Sequence, residues 1–256
     1  MNKVALNPVM KCVRNWLTIA VLAIPAAGFC TEFTLGLKQG QVVSFVTAAT
    51  KQGAVEARRR YDKRVSELAS PLGFKREGTL RITSARAGDY APDPLMNVLS
   101  WPDRSSVEKF DSFDEWTELR PARKYIWDEL RFNRMTIPQD MEVRFRSDRI
   151  YRFVSLWINP DRPTDFDKYR DALSETVYQQ GGRYVLQIEG GDYQSVIDPD
   201  RPPDLFWIIE WPDRKAHQSY IGSDTFRANY HFFQSGVAKF HVFETKYMFP
   251  TDTEAR

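Results

Sequence analysis

Glu210 stands in the run LFWIIEW, a carboxylate among otherwise apolar residues. Burial of such a group raises its pKa and equips it as a general base. A strand-end position suits an ion pair with Arg183 or a bond from a backbone donor equally well, so both readings stay open. Arg183 can clamp an anionic ligand through two parallel hydrogen bonds, or serve as that structural partner. The histidines are His217, His231 and His241. None of them makes a His-x-x-x-His pair or another His, Cys and carboxylate spacing typical of a metal site. No metal and no cofactor is therefore expected. A pocket holding Glu210 with Arg183 or His217 within hydrogen-bond reach would favour a cofactor-free enzyme. Tyr169, Tyr184, Trp157, Trp207 and Trp211 offer ring surface for an apolar cavity inside a barrel, although rings at such spacing equally fill cores. Nucleophile elbows, phosphate loops and dinucleotide fingerprints are absent.

These residues need elements to hold them, and the second half of the chain spells them out. Residues 151–158 (YRFVSLWI) are aromatic and β-branched and stop at Asn159-Pro160, which reads as a strand. Residues 165–180 follow as a helix, with Thr164 as its candidate N-cap and Gly181-Gly182 as its end. A long strand over 183–197 is loosened at Gly190-Gly191, where a bulge or turn fits. Residues 205–211 are apolar on both faces and suit a central strand. A broken helix over 215–220 and 223–234 and a last strand over 240–249 complete the order β-α-β-β-α-β, the split ferredoxin-like motif.

The first half repeats the pattern. Trp-Pro-Asp-Arg occurs at 101–104 and again at 211–214, and Phe110 and Trp116 fall opposite Tyr220 and Phe226 at the same offset of 110. Upstream, Tyr61 and Gly73 fall opposite Tyr169 and Gly181 at an offset of 108. The chain thus reads as two diverged copies, one over 41–147 and one over 150–249. In the first copy, strands are expected at 42–47, 74–85, 95–101 and 141–146, with helices over 54–70 and 105–130. Each sheet would carry its helices on one face and leave the other face apolar and bare. Two such faces in one chain can bury each other. The expected fold class is α+β, with two ferredoxin-like repeats forming an intramolecular version of the dimeric α+β barrel.

Gly181-Gly182-Arg183-Tyr184, Gly190-Gly191, Glu210-Trp211-Pro212-Asp213 and the spaced Ala216, Tyr220, Ser223 and Phe226 resemble the domain of unknown function 1330 family. The resemblance covers roughly residues 151–248. The first copy keeps Trp-Pro-Asp-Arg but has Ser100 opposite Glu210. The resemblance implies the dimeric α+β barrel superfamily, which also holds cofactor-free monooxygenases, isomerases and haem enzymes. It lends architecture rather than a reaction.

The N-terminus reads as an export signal over residues 1–28. Lys3, Lys11 and Arg14 precede an apolar stretch of about 14 residues, short of the roughly 20 that a membrane span needs. Ala26, Ala27 and Gly28 supply the small residues of a cleavage site. Phe29 before Cys30 argues against lipidation, and loss of Cys12 with the signal leaves no cysteine pair for an internal disulfide. Without the signal, 36 Lys and Arg fall to 33 against 34 Asp and Glu, so nucleic acid finds no electrostatic support. The chain is expected to be periplasmic or secreted, without a membrane span after signal removal, and monomeric. The favoured function is binding of a small apolar or aromatic molecule or a protein partner. The alternative is a cofactor-free enzyme of monooxygenase or isomerase type with Glu210 as base.

Overall fold

The structure, a computed structural model, describes residues 31–86, 91–190, 192–195 and 201–248. The expected signal segment, Cys12, Cys30 and Gly191 lie outside the described residues. Strand β1 (Glu32–Leu37) precedes a first unit made of β2 (Val42–Thr50), α1 (Val55–Ala69), β3 (Lys75–Arg86), β4 (Leu95–Trp101), the short helices α2 (Arg104–Asp111), α3 (Asp114–Leu119) and α4 (Arg123–Ile126), and β5 (Trp127–Thr136). Strand β6 (Met141–Arg146) leads to the second unit. That unit comprises β7 (Ile150–Ile158), α5 (Pro163–Gln179), β8 (Arg183–Glu189), β9 (Asp192–Ser195), β10 (Leu205–Trp211), α6 (Arg214–Ile221), α7 (Asp224–Gly236) and β11 (Val237–Tyr247).

Each unit orders its antiparallel strands as fourth, first, third, second: β5-β2-β4-β3 and β11-β7-β10-β8. The units join where β11 pairs with β3, from Val242 opposite Arg86 to Tyr247 opposite Leu80. On the far side β5 pairs with β9, Arg131 opposite Ser195. Because β9 continues the chain of β8 past Gly190, which takes a φ of +71°, the nine strands close on themselves. The sheet alternation turns Val43 and Phe45 inward, while Ser44 and Val46 face the helices. Inside, the Phe45 ring lies 5.0 Å from Phe153 and 5.2 Å from Phe206. Leu35, Leu37, Val143 and Phe145 of the β1–β6 ribbon pack into the same core. The barrel interior is filled, so it is not the cavity that the aromatic residues were expected to line.

Three expectations about the elements are corrected. Residues 141–146 do not close the first unit, and the helical region does not run through residue 130. Trp127–Thr136 pairs with β2 instead, and β6 pairs with β1 in a separate two-stranded sheet. The reason is visible in β5, whose inward positions include the polar Glu129, Arg131 and Asn133, all buried, before Met135. Charged residues on both faces disguise the alternation that marks a strand. Helix α5 begins at Pro163 in its first turn rather than with Thr164 as cap, as proline's fixed φ favours.

The proline and aspartate of the Trp-Pro-Asp-Arg motif play the same structural part in both units. Trp101 and Trp211 end the third strand of each. Asp103 and Asp213 then cap the next helix, accepting hydrogen bonds from the Ser106 and Ala216 amides at 2.7 and 2.8 Å. Each proline packs on the glycine that ended the preceding helix: a Cβ on Gly73 would lie 2.5 Å from Pro102 Cγ, and one on Gly181 3.1 Å from Pro212 Cγ.

Candidate functional site

The alternation of β10 divides the candidates. Phe206 and Ile208 belong to the barrel core, and Glu210 shares their face, while Trp207, Ile209 and Trp211 face the helices. Glu210 is 8 % exposed. Its Oε1 accepts from Arg183 Nη2 at 3.2 Å and its Oε2 from the Tyr151 hydroxyl at 3.1 Å. Burial pushes the Tyr151 phenol far above its ordinary range, so it stays protonated and able to donate. Arg183 remains 56 % exposed. The two side chains form an ion pair, and neither residue lines either of the two large cavities found between sheet and helices.

His217 and four of the five aromatic residues meet elsewhere. A cavity of about 480 Å³ lies between the outer face of the second unit's sheet and its helices. Val154, Leu156, Trp207, Ile209 and Trp211 form its floor. Tyr169 and Leu173 of α5, Tyr220 of α6, and Phe226 and Phe233 of α7 form its walls. Tyr184 of β8 joins them, its ring 5.5 Å from that of Trp207. Burial pushes the Tyr169 phenol up to about 12 and raises those of Tyr184 and Tyr220 further, so all three are neutral hydroxyls. Trp157 faces the other way, its indole donating to the Arg201 carbonyl at 2.7 Å.

One edge of this cavity is charged. Glu244 of β11 is 1 % exposed and accepts from Arg152 Nη2 at 2.7 Å, from Thr83 Oγ1 at 2.9 Å, and from Arg214 Nε at 3.1 Å. Burial alone would raise the Glu244 carboxyl, but the bonds from Arg214 and Thr83 and the charge of Arg152 hold it below its ordinary value. His217 stands beside this cluster with its ring 5.2 Å from Trp211. Burial first, and Arg152 second, pull its imidazole down to about 4, so it is neutral at pH 7. With Arg86 and Arg170 also lining the cavity, four arginines stand against one carboxylate, an electropositive lining on an aromatic chamber. Arg152 Nε and Trp211 Nε1 are buried and have no hydrogen-bond partner among the described residues.

Glu244, Arg152 and Thr83 were not among the sequence candidates. The signal that singles out Glu210, a carboxylate beside apolar strand residues, applies equally to Glu244 in VFETKY. Among the described residues no group of three His, Cys, Asp or Glu side chains is arranged to hold a metal, and no helix is long and apolar enough to cross a membrane.

No protein-family model matches the chain, and no curated protein does. Solved structures do. An anthrone oxidase-like protein matches at 11 % identity over 85 % of this chain and 95 % of its own, with a TM-score of 0.53. The chain has the dimeric α+β barrel fold in one polypeptide. A mutant chlorite dismutase from Candidatus Nitrospira defluvii matches at 12 % identity over 84 % of this chain and 93 % of its own, at a TM-score of 0.44. A protein of unknown function from Rhodopseudomonas palustris matches at 20 % identity over 41 % of this chain and 86 % of its own, at 0.36. Identity this low carries the fold and nothing of the activity. Membership of the domain of unknown function 1330 family gains no support beyond that fold.

Proposed function

We propose that the chain is an exported, monomeric binding protein for a small aromatic molecule bearing an acidic group, held in the cavity of the second unit. The observation that carries this reading is the Arg152–Glu244–Arg214 network set on the edge of an aromatic chamber. The volume lies within the roughly 300–1,000 Å³ usual for small-ligand sites. Rings of a ligand would pack on Trp207, Tyr169 and Phe226, while its acid would meet the surplus of guanidinium charge. A protein partner has less to dock on. Val55, Tyr125, Tyr178 and Ile221 are the exposed large apolar residues among those described, and they sit on four different helices.

The enzymatic alternative with Glu210 as base has no geometric support, because Glu210 and Arg183 stand away from the cavity. His217 lines it, but an imidazole drawn down to about 4 is a weak proton acceptor at neutral pH.

Calorimetric titration with 1-naphthoate and its neutral methyl ester tests the proposal. At the site in the second unit the acid should bind at least tenfold tighter than the ester, and Arg214→Leu should abolish the preference of that site while leaving its ester binding intact. Equal affinity for acid and ester in the unaltered protein would refute it. A closed intramolecular barrel needs no second copy, so light scattering should give the mass of one chain. A stable dimer would contradict the monomer reading.

A further inference from the structure

The first unit holds its own chamber at the equivalent place, about 450 Å³ between the outer face of its sheet and its helices. Trp101, Phe110, Trp116, Trp127 and Phe132 supply its ring surface. Among them sits Arg123, whose Nε donates to the Tyr61 hydroxyl at 2.8 Å. Its guanidinium lies 4.7 Å from the Trp116 ring centre and 5.1 Å from that of Phe132. No carboxylate forms an ion pair with Arg123 among the described residues. The two acids that line the chamber are engaged elsewhere: Asp62 lies 3.6 Å from Arg58, and Asp111 accepts from Trp116 Nε1 at 3.1 Å.

Two buried polar atoms add an independent observation. Ser44, 1 % exposed, and Trp127, 3 % exposed, both line this chamber. Ser44 Oγ and Trp127 Nε1 have no hydrogen-bond partner among the described residues. Buried donors are satisfied as a rule, so two unmet atoms in the chamber wall, beside a guanidinium that Asp111 offsets only through space, favour a ligand that carries acceptors. Neutral hydrocarbon would leave every one of them unmet. A bare inorganic anion would leave the rings uncovered.

We propose that the first unit is a second ligand site, separate from the one in the second unit, for an aromatic acid whose anionic group is held by Arg123. The proposal does not rest on the function assigned to the second unit, since it uses none of the same residues.

Calorimetric titration of the full chain with 1-naphthoate separates the two sites. The unaltered protein should bind two equivalents. Arg123→Leu should weaken one of them at least tenfold and leave the other, whereas Arg214→Leu should act on the other alone. Arg123→Lys, which keeps the charge but loses the flat stacked group, should weaken the first-unit site by less. The methyl ester should be indifferent to Arg123→Leu. A circular dichroism melt accompanies each variant, and Leu99→Phe, which narrows the chamber without touching a charge, serves if Arg123→Leu does not fold. It should remove the same site. One equivalent bound, lost on Arg214→Leu and untouched by Arg123→Leu and Leu99→Phe, would overturn the proposal. Equal weakening of acid and ester by Arg123→Leu would overturn it too, by making Arg123 a packing residue. Loss of a site on Arg123→Leu with no effect of Arg214→Leu would sink the second-unit reading alone.

Discussion

The two units share one topology and hold cavities of nearly equal size, yet one cross-strand pair on the outer sheet face carries opposite chemistry in the two. In the second unit Arg152 stands opposite Glu244 on neighbouring strands and bonds to it at 2.7 Å. At the equivalent place in the first unit Ser44 stands opposite Arg134. The motif arginines follow suit. Arg214 crosses to Glu244, whereas Arg104 pairs with Glu108 of its own helix at 3.2 Å. The scaffold is the same, and the charge on its outer sheet face is what differs. One unit keeps a buried carboxylate to hold two guanidinium groups in place, and in the other no carboxylate forms an ion pair with Arg123 among the described residues.

The largest effect should come from Glu244→Gln, which leaves the mostly buried Arg152 without its counter-charge. Removing one partner of a buried pair costs about 3–5 kcal/mol, and the exposure of Arg214 reduces this to about 3. The melting temperature should fall by roughly 6–12 °C. Glu108→Gln in the first unit breaks an exposed pair and should leave it unchanged. Similar shifts in the two variants would mean that the units do not differ as described.

The next effect is one of pH. The folded-state value of His217 lies below its unfolded value, so the unfolded chain binds more protons between about pH 6.5 and 4. The stability that neutral His217 contributes is present above that window and is lost as pH falls through it. Allowing for partial exposure, the loss is about 2 kcal/mol. Urea unfolding at pH 7 and pH 4 should show that much less pH dependence in His217→Gln than in the unaltered protein. The first unit has Val107 at the equivalent position, so Val107→Ala should not change the slope.

Much of this was legible in advance, and the failures have physical causes. LFWIIEW announced a central strand, and its alternation already separates Glu210 from Trp207 and Trp211. What the alternation does not say is which face holds space. That depends on Phe45, Phe153, Phe206 and Phe243 meeting inside the barrel, a contact between distant segments. The last strand of the first unit was hidden because it buries Glu129, Arg131 and Asn133. The β1–β6 ribbon was hidden because its partners lie more than a hundred residues apart. Glu244 escaped notice because its partners Thr83, Arg152 and Arg214 come from three other segments.

A smaller contrast lies in the two helix ends. Gly73 and Gly181 both have φ near +80°, so an alanine is strained at either. Gly73 is also the closer to its proline. Gly73→Ala should cost about 2 kcal/mol and Gly181→Ala about 1, by chemical denaturation. The reverse order would mean that the proline contacts do not set the difference.

The central claim is that ligand chemistry resides between the sheet and the helices rather than inside the barrel or at Glu210. A crystal structure of the protein soaked with 1-naphthoate tests it most directly. The prediction is a naphthalene ring against Trp207 and Tyr169, with its carboxylate within hydrogen-bond distance of Arg152 or Arg214. A carboxylate seated instead on Arg183 beside Glu210, with the chamber of the second unit holding no ligand, would contradict it.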